Sequence, residues 1–243
     1  MTEPIDAGLV ERIRRSNRPV VFCGAGLSAE SGIPTFRAAS DHALWSRYDP
    51  EELASIEGFT RNPDRVRGWY AWRRGLVAEA MPNDAHHALA GWHEALLVTQ
   101  NVDDLQERAG APDERILHLH GSIVHDRCHD GCGWVGPVES EAGGGRSECP
   151  RCGGVARPAV VWFGETLPQA VWTRACRACS ETDLLLVVGT SGVVQPAAML
   201  VEMAADGGAY VVNVNPEPTP LDALADASIH APAAGVLPAL LPD

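Results

Sequence analysis

The chain alternates short apolar runs with longer segments of helical periodicity. Ile5, Leu9, Val10 and Ile13 stand at helical spacing and predict a leading amphipathic helix over residues 5–16. Five apolar runs follow, at Val20-Val21-Phe22, Leu96–Thr99, Ile116–Leu119, Asp183–Val188 and Tyr210–Val214. Each is too short for a helix and too uniformly apolar for a half-exposed strand, which predicts strands buried on both faces. Helices are predicted between them at residues 84–96, capped by Asn83 or Asp84, at 168–180 and around 196–205. The alternation implies an α/β fold with a doubly wound parallel sheet. Pro158–Glu165 reads as a further extended segment, and the tail from Ile229 to Leu241 carries a small-residue turn at 231–235.

Two stretches break this pattern. Residues 38–84 are rich in Trp, Arg and Glu, contain no strand-like run and are punctuated by Pro50, Pro63 and Pro82. They predict a helical insert with a helix from about Pro63 to Ala80. On it Trp69, Trp72 and Leu76 are predicted to face inward, with Tyr70 and Arg73 on a neighbouring face. A phenol beside a guanidinium can grip a carboxylate. Spacing alone favours a solvated face, and Arg74 competes with Arg73 for the inward position. The second stretch, 123–157, is rich in Cys and Gly. The expected division is a main domain of residues 1–37, 85–122 and 158–243, with 38–84 and 123–157 forming a smaller one.

Composition narrows the possible functions. The 243 residues carry 32 Asp and Glu against 19 Lys and Arg, a net charge of −13, which argues against nucleic-acid binding and is compatible with a lysine-rich partner. The N-terminus has no signal-peptide pattern and no run is long enough to span a bilayer, so a cytoplasmic protein is expected. Seven cysteines there point to metal or buried thiols rather than disulfides. Cys128 and Cys132 form a C-x3-C knuckle and Cys149 and Cys152 a C-x2-C knuckle, with sixteen residues between the pairs. That arrangement predicts a four-thiolate zinc site, closed and therefore structural, with His125 and His129 as nearby substitutes. Cys23, Cys176 and Cys179 are read as structural thiols, and His86, His87 and His93 as solvated or capping residues.

The ends of the predicted strands collect polar and small residues, as a ligand crevice in an open α/β sheet requires. The first run leads into Gly24-Ala25-Gly26 and Leu27-Ser28, a turn able to approach a phosphate. The second ends in Gln100-Asn101-Val102-Asp103, the third in His120-Gly121, the fourth in Gly189-Thr190-Ser191 and the fifth in Asn213 and Asn215. His120 is a general-base candidate, since its pKa lies near neutrality. The extended run Val161-Trp162-Phe163-Gly164 could accept a peptide by main-chain pairing.

GAGLSAESGIPTFR, TQNVDDL, LHLHGS, the two cysteine pairs, VVWFGE and LLVVGTS occur here in the order found in sirtuins, and nearly the whole chain resembles that family of NAD-dependent protein deacylases. The resemblance implies a Rossmann-like domain with a smaller inserted domain made of a helical insert and a zinc module. It implies NAD and one structural zinc ion as cofactors, and acyl-lysine proteins or peptides as substrates of a monomer. Gly24, Ala25, Gly26 and Ser28 match the phosphate turn, and Phe36 and Arg37 the loop over the nicotinamide. Gln100, Asn101 and Asp103 match the nicotinamide and ribose pocket, and His120 the catalytic base. Gly189, Thr190, Ser191, Asn213, Asn215 and Ala233 fall on the cofactor side, and Val161 to Gly164 on the acyl-lysine channel.

Tyr70-Ala71-Trp72-Arg73 matches the Y-x-x-R of members that prefer acidic acyl groups, so succinyl-, malonyl- or glutaryl-lysine is the implied substrate, with acetyl-lysine weaker. The implied reaction joins the acyl oxygen to the ribose as nicotinamide leaves. His120 then deprotonates a ribose hydroxyl, and water releases lysine and O-acyl-ADP-ribose. A deacetylase, a mono-ADP-ribosyltransferase and a non-catalytic NAD-responsive protein are the alternatives. The chain departs from the family at the C-x3-C spacing, at Asp104, at Gln106 where many members have His, and at Ala233 where some have Cys.

Overall fold

The computed structural model describes residues 6–35, 48–139 and 145–242. Helix α1 (Ala7–Arg14) starts where the Asp6 carboxylate accepts from Gly8 N, and it buries Leu9 and Ile13. β1 (Pro19–Cys23) is buried throughout and runs through a glycine turn into the short α2 (Gly26–Ala29). The helical insert contains α3 (Pro50–Leu53), α4 (Ile56–Arg61) and α5 (Pro63–Glu79). Then follow α6 (Asp84–Gly91), β2 (Leu96–Thr99), α7 (Leu105–Arg108) and β3 (Ile116–His118). The small sheet uses β4 (Gly121–Cys128), β5 (Val135–Pro137) and β6 (Ala156–Val160). α8 (Gln169–Glu181), β7 (Leu184–Val188), α9 (Met199–Asp206), β8 (Tyr210–Val214), β9 (Ala227–Ile229) and α10 (Ala233–Leu240) complete the chain.

The large sheet has strand order β3-β2-β1-β7-β8-β9, with every pair parallel. The chain leaves β1 toward one edge and, from β7, continues toward the other. The carboxyl ends of β1 and β7 therefore flank the point where the winding reverses, where open α/β sheets hold their ligands. Alternate strand residues face opposite layers. Val21, Leu97, Leu186 and Val212 pack against α1, α6 and α10. Phe22, Val98, Leu185, Val187 and Val211 pack against α8 and α9. The antiparallel sheet β5-β4-β6 packs with the helical insert around a third cluster that includes Leu53, Phe59, Val66, Tyr70, Ile123, Val160 and Trp162.

Several sequence expectations change in detail. The helix after Asn83 stops at Gly91, short of Leu96, and buried Trp92 follows as its cap. His86 is a capping residue, since its Nδ1 accepts from Asn83 N at 3.2 Å while the Asn83 side chain accepts from Ala85 N and His86 N. The tail is not a turn alone: it adds the sixth strand, β9, and a helix that contains Pro238. On α5 the buried face is Val66, Trp69, Tyr70, Arg73, Arg74 and Val77. Trp72 is instead 43% exposed, its ring 5.9 Å from that of Tyr48. The face predicted inward was drawn through the most apolar residues, whereas the small sheet and the cleft select the face carrying both arginines.

Candidate active site

A cleft of about 940 Å³ runs along the carboxyl ends of the large sheet and under the helical insert. Gly24, Ala25 and Gly26 line it, opposite Gly189, Thr190 and Ser191. The two turns are locked together, with Gly26 N donating to Gly189 O at 2.8 Å. A Cβ on Gly26 would sit 2.7 Å from Gly189 Cα, and one on Gly24 would sit 2.8 Å from Thr190 Cβ. These two glycines thus let one turn approach the other. Gln100 Nε2 donates to Thr190 Oγ1 at 2.8 Å and Asn215 Nδ2 to Thr190 O at 2.7 Å, joining three strand ends around one threonine. Asn215 and Ala233 line the cleft. Asn213 does not; it is buried, and its amide donates to Thr219 and Asp222. Phe36 and Arg37 lie outside the described residues.

The floor is polar and buried. The Ser28 hydroxyl donates to Asp103 Oδ2 at 3.0 Å, and Asn101 Nδ2 donates to Ser28 Oγ at 3.1 Å. All three are buried, and of them Asn101 reaches the cleft wall. Burial pushes the Asp103 carboxyl above its ordinary range, although Leu105 N–H and Ser28 work the other way. His120 lines the cleft with Nδ1 3.0 Å from the carbonyl of Gln100. A carbonyl only accepts, so Nδ1 carries the hydrogen and Nε2 is the basic atom. Burial pulls the His120 pKa below its usual 6.5, against the opposing pull of Gln100, and keeps the ring neutral at pH 7.

Tyr70, Arg73, Val161, Trp162, Phe163 and Gly164 line the other end. The Tyr70 oxygen accepts from Trp162 Nε1 at 2.9 Å, which leaves its own hydrogen to be donated elsewhere. The Arg73 guanidinium lies 5.0 Å from the Trp69 ring centroid. Burial lowers the Arg73 pKa and raises that of Tyr70, each partly offset by the other. Two residues that sequence reasoning missed support this wall. The Arg157 guanidinium stacks 4.0 Å from the Trp162 ring centroid and pairs with Glu165, whose second oxygen accepts from Trp162 N at 2.9 Å. An arginine inside the apolar run Ala156–Val160, with a glutamate eight positions on, was the available signal. Arg74 turns away from the cleft into a buried ion pair with Asp126 at 2.7 Å, and its Nε donates to Ile123 O.

Cys128, Cys132, Cys149 and Cys152 converge, with all sulfurs within 4.8 Å of one another. The Cys128–Cys152 and Cys132–Cys149 separations are 3.7 and 3.6 Å. A tetrahedron with ~2.3 Å zinc–sulfur bonds has edges of about 3.8 Å, so the cluster fits one closed zinc site. Gly131 and Gly133 flank Cys132 with φ of 79° and 80°, left-handed turns that take up the extra residue of the C-x3-C knuckle. His125 bonds Ser122, and the His129 ring packs on Phe59.

A Rossmann-like sheet with a cysteine-bound small domain beside a cleft at its strand ends defines a class of nucleotide-using enzymes. The Sir2 family model matches residues 24–196, and the chain belongs to that family. It is 50% identical over 246 residues to NAD-dependent protein deacylase 1 of Pseudomonas aeruginosa, covering 96% of each chain. It is 48% identical over 231 residues to the NAD-dependent protein deacylase of Mycobacterium leprae, covering 92% of this chain and 96% of the relative. A solved complex of a Sir2 homologue with NAD superposes with a TM-score of 0.88 at 44% identity, over 98% of this chain and 93% of the homologue.

Proposed function

We propose that this chain, an NAD-dependent protein deacylase, acts on lysine side chains carrying acidic acyl groups (succinyl, malonyl or glutaryl), with acetyl-lysine a weaker substrate. The observation that carries the preference is the buried pair Tyr70 and Arg73 on the cleft wall, with the phenol hydrogen left available by Trp162. A carboxylate at the end of an acyl chain would accept from both groups in a site where water does not compete. The substrate class follows as an acyl-lysine peptide or protein, entering along Val161–Gly164.

The cleft volume and its glycine and threonine turns fit a dinucleotide. Gly24, Ala25, Gly26, Gln100, Gly189, Thr190, Ser191, Asn215 and Ala233 line the cleft and would hold NAD; Ser28 and Asn213 lie behind that lining, Ser28 bonded to Asn101, and Phe36 and Arg37 are carried by the family resemblance. When bound, NAD supplies an ADP-ribosyl acceptor for the acyl oxygen and nicotinamide as the leaving group. Asn101, fixed by Ser28 and Asp103, orients groups at the floor of the cleft. His120 takes a proton at Nε2 and is spared any other role, since Gln100 occupies Nδ1. Tyr70 and Trp162 exclude water from the acyl end. Zinc would be held by the four cysteines and would supply structure rather than chemistry, because no coordination position stays open.

The test is an NAD-dependent assay over acyl-lysine peptides that follows nicotinamide release. Replacing Arg73 by Met is expected to lower kcat/KM on succinyl-lysine by roughly 10–100-fold, the worth of a charge-assisted hydrogen bond, with a much smaller loss on acetyl-lysine. Equal losses on the two substrates would sink the acidic-acyl reading.

A further inference from the structure

His118 ends β3 two residues before His120 and takes no part in the cleft wall. Its ring nevertheless touches the cleft's machinery. Nδ1 lies 3.2 Å from the carbonyl oxygen of Asn101, and Nε2 lies 2.7 Å from Glu107 Oε1. A carbonyl and a carboxylate both accept, so both contacts are hydrogen bonds only when both ring nitrogens carry hydrogen. Glu107 sits on α7, directly after the segment that carries Asn101 and Asp103. His118 therefore ties the beginning of that segment to the helix that ends it.

We propose that His118, in its imidazolium form, is a positioning residue that fixes Asn101 in the cleft by donating to its carbonyl while anchored on Glu107, and that loss of its proton limits activity on the alkaline side. The proposal rests on the reading that Asn101 serves the NAD site. A neutral ring keeps one hydrogen, and the Glu107 carboxylate is the stronger acceptor. Nδ1 would then turn a lone pair toward the Asn101 carbonyl, and attraction would become repulsion.

The surroundings favour the charged ring. Burial alone works against it, but Glu107, the Asn101 carbonyl and Asp103 outweigh burial and raise the His118 pKa above 6.5. Glu107 is held below the usual range by His118 and, from β4, by His125, against the effect of its own burial. The sign follows from the raised value: the clamp is complete below pH 6.5 and is lost as pH climbs through the folded-state pKa. His120 works in the opposite direction, since its unprotonated, basic form fills as pH rises through its lowered pKa.

Asparagine and glutamine separate the two bonds, because an asparagine amide reaches about as far as Nδ1 and a glutamine amide about as far as Nε2. His118→Asn, which keeps the bond to Asn101 but gives up Glu107, is expected to retain more kcat than His118→Gln and to flatten the alkaline limb of the kcat profile. His118→Gln is expected to lose kcat by on the order of tenfold or more, with little change in peptide KM, as for a displaced positioning group. Imidazole nitrogen NMR of the wild type should show both His118 nitrogens protonated below pH 6.5, with a midpoint above 6.5 that falls in Glu107→Gln. A His118 midpoint at or below 6.5, an unaltered alkaline limb in His118→Asn, or wild-type kcat in His118→Gln overturns the proposal. Undiminished nicotinamide release by Asn101→Ala would instead remove the underlying reading of Asn101 and leave the NMR result standing. If His118→Gln does not fold, the NMR titration and His118→Asn still decide.

Discussion

His120 is set by two opposed influences, burial that disfavours its charge and a carbonyl that fixes its tautomer. The acid limb of kcat/KM is therefore expected to have its midpoint below 6.5, so that activity holds from neutral pH downward until the ring takes a proton. A midpoint above 6.5 would contradict this assignment. His120→Asn should reduce deacylation by on the order of 100-fold or more, with an unchanged melting temperature. The place of His120 on the cleft wall and the convergence of the four cysteines were legible in the sequence, since a strand end and short thiol spacings declare them locally. Spacing did not separate Arg73 from Arg74, and only the Y-x-x-R resemblance pointed to Arg73. Which of two adjacent guanidinium groups faces the cleft is decided by Asp126 and Ile123, about fifty residues away in the chain.

Helix α5 shows the same dependence for a whole element. Its ends were readable, since Asn62 caps it and Pro63 opens it. Its rotation was not. The inward face is set by Arg74 on Asp126 and by Arg67, whose Nη2 donates to Ala156 O at 3.2 Å. Arg74→Met would leave the Asp126 carboxylate buried without its counter-charge and should destabilise the protein by about 3–5 kcal/mol, measured by urea unfolding. A loss under 1 kcal/mol would mean that the pair is not what orients the helix. The five apolar runs were visible as strands because each is uniformly apolar and buried on both sides. The three-residue β9 and the proline-containing α10 were missed because neither carries enough periodicity to stand out.

For the molecule as a whole, the large sheet has its own two-sided core, whereas the small sheet depends on the cysteine cluster and on α5. Zinc removal by a chelator should therefore abolish amide-exchange protection first in β4, β5 and β6 and leave it in β1, β2, β7 and β8. Simultaneous loss in both sheets would show a single cooperative unit. The alternation of strands and helices made the main domain readable from sequence, but the contacts that join the helical insert to the cysteine module are long-range side-chain pairs with no local pattern. One of the crossings between the two sheets is short. β3 ends at His118 and β4 begins at Gly121, so Leu119 and His120 span it. Leu119 N is held by Thr99 O of the large sheet, and His120 O by Val161 N. The aim of the base is consequently shared property of two bodies. Grafting the small domain of a relative onto this sheet, a natural way to exchange acyl preference as a module, would re-aim the base along with it, so selectivity in this architecture is better transplanted side chain by side chain.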